Sequence, residues 1–195
     1  MKSKDKTSEI VKYLFEAGQL KRVRRSGWWM IGVEHPESIA EHSFRAAIVG
    51  YILGKMENVN ADKVAMMALF NDMHEARLND LHKVGHRYID FRKAEKKAFD
   101  EQVQRLPKEI ADGLKRNFSQ FSTDSTKEGV VARDADLIEC ALQAKEYIDK
   151  GFKDANDWLK NIKKHIRTNS AKKLLGKIEK GDSNLWWKGL KKTER

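Results

Sequence analysis

The adjacent pair Asn71-Asp72, in ALFNDMHEA, places two side-chain oxygens side by side in an apolar stretch. His42 lies 29 residues before Asn71, and Asp136 lies 64 residues after Asp72. One imidazole and two carboxylates brought from separate segments can gather around a single divalent cation. An acid set among methionines must be paired or must coordinate a metal. Asn71 adds a neutral, weak, hard oxygen donor that suits Mg²⁺ or Mn²⁺ better than metals preferring imidazole. Taken singly, each residue has a plainer reading, because a lone helical histidine is usually a core or surface group and a lone aspartate a cap. The set points to a cation site.

On a helix turning about 100° per residue, Asn71, Asp72 and Glu75 project within a third of the circumference and one turn of height. Met66, Met67, Leu69, Phe70 and Met73 surround them with apolar groups. His74, three residues beyond Asn71, is a further imidazole able to compensate in part for the amide. His82 and His86 have i, i+4 spacing, but Gly85 between them weakens a helix, so both are read as loop residues. Cys140 is read as helix core, since nothing basic nearby would lower its pKa.

The elements that must position these groups are helices. Only Pro36 and Pro107 interrupt 195 residues, apolar residues recur at helical spacing nearly throughout, and the fold class is all-α with no strand. A first helix is expected over Lys6–Ala17, with Ile10, Leu14 and Ala17 inward and Gly18 ending it. A long loop follows over 18–37. Ser38 with Glu41 forms a capping box opening a helix to about Met56, with Ile39, Phe44, Ala47, Ile48 and Tyr51 able to face inward. Asn60 and Asp62 open one helix carrying residues 64–76, and a loop holds Asp80, His82 and His86. Further helices are expected at about 92–105, after Pro107, from Thr123 to Lys150 with Gly151 closing it, and over 154–166 and 170–180.

The length fits one compact domain with a proper core. No apolar run reaches the roughly 18–20 residues that span a bilayer, and the N-terminus lacks a secretory core. The single cysteine excludes an intrachain disulfide framework. A cytoplasmic protein is expected. The net charge of +10 is uneven: residues 159–195 hold 12 Lys/Arg against 3 Asp/Glu, while residues 31–158 hold 19 against 23. The basic tail is either a solvated lysine face or a means of steering an anionic ligand, a nucleotide or nucleic acid. Charge alone does not separate these.

Four segments, LKRVRRSGW, PESIAEHSFRAA, the x-Asp-x-x-Glu-Ala pattern at 71–76 and ARDADLIECA, resemble the HD-domain 5′-deoxynucleotidase family. They occur in the family's order across about residues 14–150. The resemblance implies a single all-α HD domain over 1–195 with a basic helical C-terminal extension from about 159 to 195. It also implies removal of the 5′-phosphate from (deoxy)ribonucleoside 5′-monophosphates with one divalent metal ion (Mn, Co, Mg, Fe or Zn), and a homodimer.

Carried over residue by residue, it places metal ligands at His42, Asn71, Asp72 and Asp136, with Asn71 standing where the family has histidine. Arg25 corresponds to the arginine that holds the substrate phosphate, its planar fork matching two oxygens at once. Glu75 corresponds to the residue that orients or deprotonates the attacking water, and Asp80 to a second acid near the leaving oxygen. Some family members have an aromatic residue directly after the arginine; here Ser26 and Gly27 precede Trp28-Trp29, which are read as loop packing. Trp158, Trp186 and Trp187 are available to cover a subunit interface or to close the C-terminal segment onto its own domain. The competing function is a catalytically impaired nucleotide-binding module marked by Asn71, with nucleic acid a less favoured partner. Another HD-type hydrolase, of cyclic or polyphosphorylated nucleotides, would carry further histidine ligands.

Overall fold

A computed structural model describes residues 5–190 of the chain, so the last five residues of the basic tail, 191–195, lie outside the described residues. Among those described there are nine α-helices and a single isolated bridge, between Arg24 and Ser38. The helices are α1 (Lys6–Gly18), α2 (Ile39–Met56), α3 (Ala61–Phe70), α4 (Glu75–Leu78), α5 (Phe91–Val103), α6 (Lys108–Thr123), α7 (Lys127–Asp149), α8 (Asn156–His165) and α9 (Asn169–Lys180). Short 3₁₀ turns at Gln19–Lys21 and Ser26–Ile31 break up the loop expected over 18–37.

Helix α7 is the axis, packed against α2, α3, α6, α8 and α9. Its small inner residues Ala132, Ala135, Ala141 and Ala144 are fully buried and let neighbouring helices approach. Thr126 caps its start by accepting from Gly129 N, and Gly151, at φ +104°, follows its end. The expected start at Thr123 is corrected, because Thr123 closes α6 and Asp124 in the left-handed region turns the chain. The Ser38–Glu41 capping box is present at the start of α2, a device that stabilises a helix by about 1 kcal/mol.

Two expectations about burial are overturned. In α2 the buried stripe is His42, Ser43, Ala46, Val49, Gly50 and Leu53, while Phe44 is 66% exposed and Ile48 and Tyr51 also face outward. The reason is close helix contact: a Cβ added at Gly54 would fall 2.6 Å from the Cα of Ala61 on α3. The small-residue side of α2 therefore faces α3 and the large apolar side is left outside. Leu14 is exposed in the same way, with Tyr13 taking the inner position on α1.

Two apolar clusters result. The larger surrounds α7 and includes Leu53, Val64, Met67, Ile138, Leu159, Ile162, Ala171 and Leu175, so the first part of the basic tail is core. The smaller joins Tyr13, Leu20, Val23, Ile39, Met73, Phe99 and Val103. Trp28 is buried and stacks on Trp158 at 4.9 Å, which removes Trp158 from the exposed surface, whereas Trp186 and Trp187 are exposed. No helix of the described residues is long and apolar enough to cross a membrane.

Candidate metal centre

The polar centre lies where segments from both clusters meet: His42 is one turn beyond Ile39, Asp72 lies between Met67 and Met73, and Asp136 is two residues before Ile138. Its first anchor is the bridge between the Arg25 segment and the start of α2. Arg25 N donates to Glu37 O at 3.0 Å and Ile39 N to Val23 O at 2.9 Å, which fixes Arg25 beside the first turn of α2. Asp80 Oδ2 accepts from Ser26 N at 2.5 Å, tying the loop after α4 to the same segment.

The sequence expectation of one helix through residue 76 is corrected at the site itself. Helix α3 ends at Phe70, and residues 71–74 form a tightened turn before α4. Its bonds are mainly of i→i−3 type, including Met73 N to Phe70 O, Glu75 N to Asp72 O and Ala76 N to Met73 O. Asp72, Met73, His74 and Glu75 are all buried there, which a regular amphipathic helix would not allow.

His42 Nε2 lies 2.9 Å from Asp136 Oδ1 and 3.5 Å from Asp72 Oδ2. One ligand atom from each of these three residues lies within 4.8 Å of the others. Three remote segments thus converge as expected. Asn71 is adjacent but engaged, its Nδ2 donating to Asp72 Oδ1 at 2.6 Å. An ionised carboxylate only accepts, so the amide's NH₂ must face it.

Several groups that the sequence reading passed over support the imidazole. His42 Nδ1 is hydrogen-bonded to Glu139 Oε2, and Glu139 Oε1 in turn accepts from Arg45 Nε at 2.9 Å. Arg45 also reaches Gln143 and Glu146. The signal was available: Glu139 follows Asp136 by three residues on α7, and Arg45 follows His42 by three on α2, so each shares a face with a site residue. Asp134, two residues before Asp136, has a different task, accepting from Arg167 N and Thr168 N at the start of α9. His86 Nε2 donates to Leu81 O and His82 Nδ1 accepts from Gly85 N, so both stay within their loop as expected.

The charges are strongly interdependent. Burial and Arg25 oppose protonation of His42, but Glu139 and Asp136 outweigh them and push its pKa up to about 10. Asp136 is held below the usual carboxylate range against its burial, by His42 first and then Arg25. Burial holds Asp72 above its ordinary value. Glu75 is held well above, by burial and then by Asp72 and Asp80, and its Oε2 has no hydrogen-bond partner. Burial opposes the Arg25 charge, yet the fields of the Asp136, Asp80 and Asp72 carboxylates keep it firmly protonated. Burial pushes the Cys140 thiol up to about 12, in keeping with a core residue.

One imidazole nitrogen and two carboxylates within a coordination sphere of one another suit a divalent first-row cation. A positive ion would offset the excess of buried carboxylates that raises Asp72 and Glu75. The residues fit such an ion, whose identity they leave open.

The fold and this donor set define an all-helical, metal-binding domain of the phosphohydrolase kind. Residues 17–178 match the family described as HD domain. The chain is 31% identical over 141 residues to the 5′-deoxynucleotidase HDDC2 of Bos taurus, covering 72% of this chain and 68% of that protein. It is 29% identical to the 5′-deoxynucleotidase hdd1 of Schizosaccharomyces pombe, over 78% of this chain and 80% of that one. Among solved structures, a conserved hypothetical protein from Pyrococcus furiosus superposes with a TM-score of 0.74 at 27% identity, covering 88% of this chain and 99% of that chain. A cyanophage S-2L HD phosphohydrolase, described as bound to dA and one catalytic Zn²⁺ ion, shares the fold at a TM-score of 0.57 and 16% identity, over 86% and 96% of the two chains. This protein belongs to the HD-domain family of 5′-deoxynucleotidases.

Proposed function

We propose that the protein is a metal-dependent phosphomonoesterase that hydrolyses nucleoside 5′-monophosphates, deoxy forms included, to the nucleoside and inorganic phosphate. The observation that carries this reading is the convergence of His42, Asp72 and Asp136 beside a guanidinium, that of Arg25, which has no ion-pair partner within 4.0 Å among the described residues. The relatives named above as 5′-deoxynucleotidases support the substrate class.

His42, Asp72 and Asp136 would hold the cation, with Asn71 beside them as a weak oxygen donor. When bound, the cation acidifies water and neutralises charge on the phosphoryl oxygens. Arg25 takes two phosphate oxygens through its planar fork and offsets the charge spread over them in the transition state. Glu75, ionised once a cation offsets the burial and the neighbouring carboxylates that raise its pKa, receives the proton of the attacking water as the new P–O bond forms. The bond from phosphorus to the 5′-oxygen breaks, and Asp80, fixed by Ser26 N, relays to this oxygen the proton that Glu75 has taken from the water.

The whole chain acts as one HD domain with its basic end as an extension, in the cytoplasm and as a homodimer. The outward stripe of Phe44, Ile48, Tyr51 and Ile52 on α2, with Met66 and Leu69 on α3, supports self-association, since so contiguous an apolar face is unusual on a monomer. Light scattering tests the dimer.

Phosphate release from a panel of deoxyribo- and ribonucleoside monophosphates, with Mn²⁺, Co²⁺, Mg²⁺, Zn²⁺ or chelator, tests the activity. Turnover that chelator abolishes is expected. No turnover with any metal, in the parent protein and in Asn71→His alike, overturns the proposal.

A further inference from the structure

The segment after α9 serves neither the core nor the chemistry above. Helices α8 and α9 bury Leu159, Ile162 and Leu175 and turn their lysines outward. Among the described residues, Lys164, Lys172, Lys173, Lys177 and Lys180 are exposed with no carboxylate within 4.0 Å, so ion pairs do not neutralise them. Residues 182–190 follow, where Leu185, Trp186 and Leu190 are 66%, 80% and 67% exposed and Trp187 is half-exposed. None of these four side chains belongs to either apolar cluster.

An ordered run of turns displays them. Asp149, at the end of α7, accepts from Ser183 N at 2.9 Å, and Asp182 Oδ1 accepts from Asn184 N at 2.8 Å. Leu185 N donates to Asp182 O at 3.1 Å, and Leu190 N to Trp187 O at 3.3 Å. Trp187 donates to Asn184 through both its backbone N–H and its indole Nε1. The segment is thus braced against α7 while its large apolar groups face water.

We propose that this segment is an interfacial anchor by which the protein docks on an anionic membrane surface. Trp186, Trp187, Leu185 and Leu190 enter the headgroup boundary, and Lys177 and Lys180, in the last turn of α9, meet the lipid phosphates. Indoles with aliphatic neighbours suit a bilayer interface, and nearby lysines are drawn to anionic headgroups. Charge complementarity extends over the whole region, since residues 159–195 hold 12 Lys/Arg against 3 Asp/Glu. No helix of the described residues is long and apolar enough to cross, so contact is from one side. Nucleic acid fits less well, because bases stack on indoles but gain nothing from exposed leucines. Two copies of the segment facing each other across a two-fold axis would set lysine against lysine. The anchor uses no residue of the metal centre and stands independently of the phosphatase reading.

The test mixes the full chain with vesicles of phosphatidylcholine alone, or of equal parts phosphatidylcholine and phosphatidylglycerol. Sedimentation reads the bound fraction, and a blue shift of tryptophan emission reads indole insertion. Binding to the anionic vesicles alone, weakened by added salt, is expected. Trp186→Ser combined with Leu190→Ser should lower the partition constant by about tenfold or more, with the circular dichroism spectrum unchanged. Lys177→Glu combined with Lys180→Glu should lower it by about tenfold. A parent that ignores anionic vesicles overturns the anchor whatever the variants do, as does binding that the serine pair leaves intact. A parent that ignores vesicles but holds single-stranded RNA, and loses it in the serine pair, assigns the segment to nucleic acid instead. A parent dimer that ignores vesicles and becomes monomeric in the serine pair, by light scattering, assigns it to a subunit contact and likewise overturns the anchor.

Discussion

His42 on α2 and Glu139 on α7 are 97 residues apart in the chain, yet Nδ1 of the first is hydrogen-bonded to Oε2 of the second inside the core. The contact fixes the ring so that Nε2 is directed at Asp136 and Asp72. Arg45 holds the other carboxylate oxygen, so Glu139 keeps its charge although it is fully buried.

Glu139→Gln keeps the shape of this support but removes its charge. Outer-shell partners of ligating histidines typically contribute 10–100-fold to metal affinity. Mn²⁺ binding by calorimetry should weaken by about that factor, with the circular dichroism spectrum unchanged. Unaltered affinity would show that Glu139 is only a core ion-pair partner.

Asn71 spends its NH₂ on Asp72, a carboxylate wanted by the cation. Asn71→His replaces that competitor with an imidazole, a stronger ligand for most first-row metals. Zn²⁺ or Co²⁺ affinity is expected to rise by roughly tenfold or more. A fall in affinity would mean that the amide is itself the better ligand in this geometry.

Cation uptake should depend on pH, because only the neutral imidazole coordinates. In the metal-free protein His42 is protonated up to about pH 10, so binding at pH 7 must release its proton. Between pH 6 and 9, affinity should therefore increase with pH by about tenfold per unit for each proton released. Calorimetry in buffers of different ionisation enthalpy reads the proton count, and a value of zero would contradict a site built on His42.

Glu37 provides a stability test. Its pKa is pushed up to about 7 by burial and by Glu139, so the folded chain binds its proton more tightly than the unfolded chain does. Its contribution is favourable at low pH and is lost as pH rises from the ordinary value of 4.5 to about 7. At pH 8 the ionised group costs on the order of 3 kcal/mol in the metal-free protein. Glu37→Gln should raise Tm at pH 8, by about 2–4 °C per kcal/mol, and by clearly less at pH 5. An equal shift at both pH values would assign the effect to packing alone.

Much was legible along the chain because it is local. The capping box at Ser38, the turn after Asp149 and the placing of His42, Asp72 and Asp136 on separate apolar segments follow from residue type and short-range spacing. The break after Phe70 was not legible. Residues 71–78 have good helical spacing, and the tightened turn that buries four consecutive residues is supported by packing of Met73 and His74 against α5 and α6. The outward stripe of α2 was missed for a related reason: periodicity identifies an apolar face, but close approach at Gly54 decides which face goes inside.

The residues by themselves determined an all-helical chain with imidazole and carboxyl groups suited to a cation, since these choices reside in side-chain chemistry and in contacts within a few residues, while the phosphate role of Arg25 came from the family resemblance. Only the tertiary structure decided that Glu139 braces His42, that Asn71 grips Asp72, and that His74 and Glu75 lie beside them with unmet polar atoms. Those relations join groups through helix packing, or through a turn that packing distorts, and no periodic pattern in one dimension encodes which buried charge will face which.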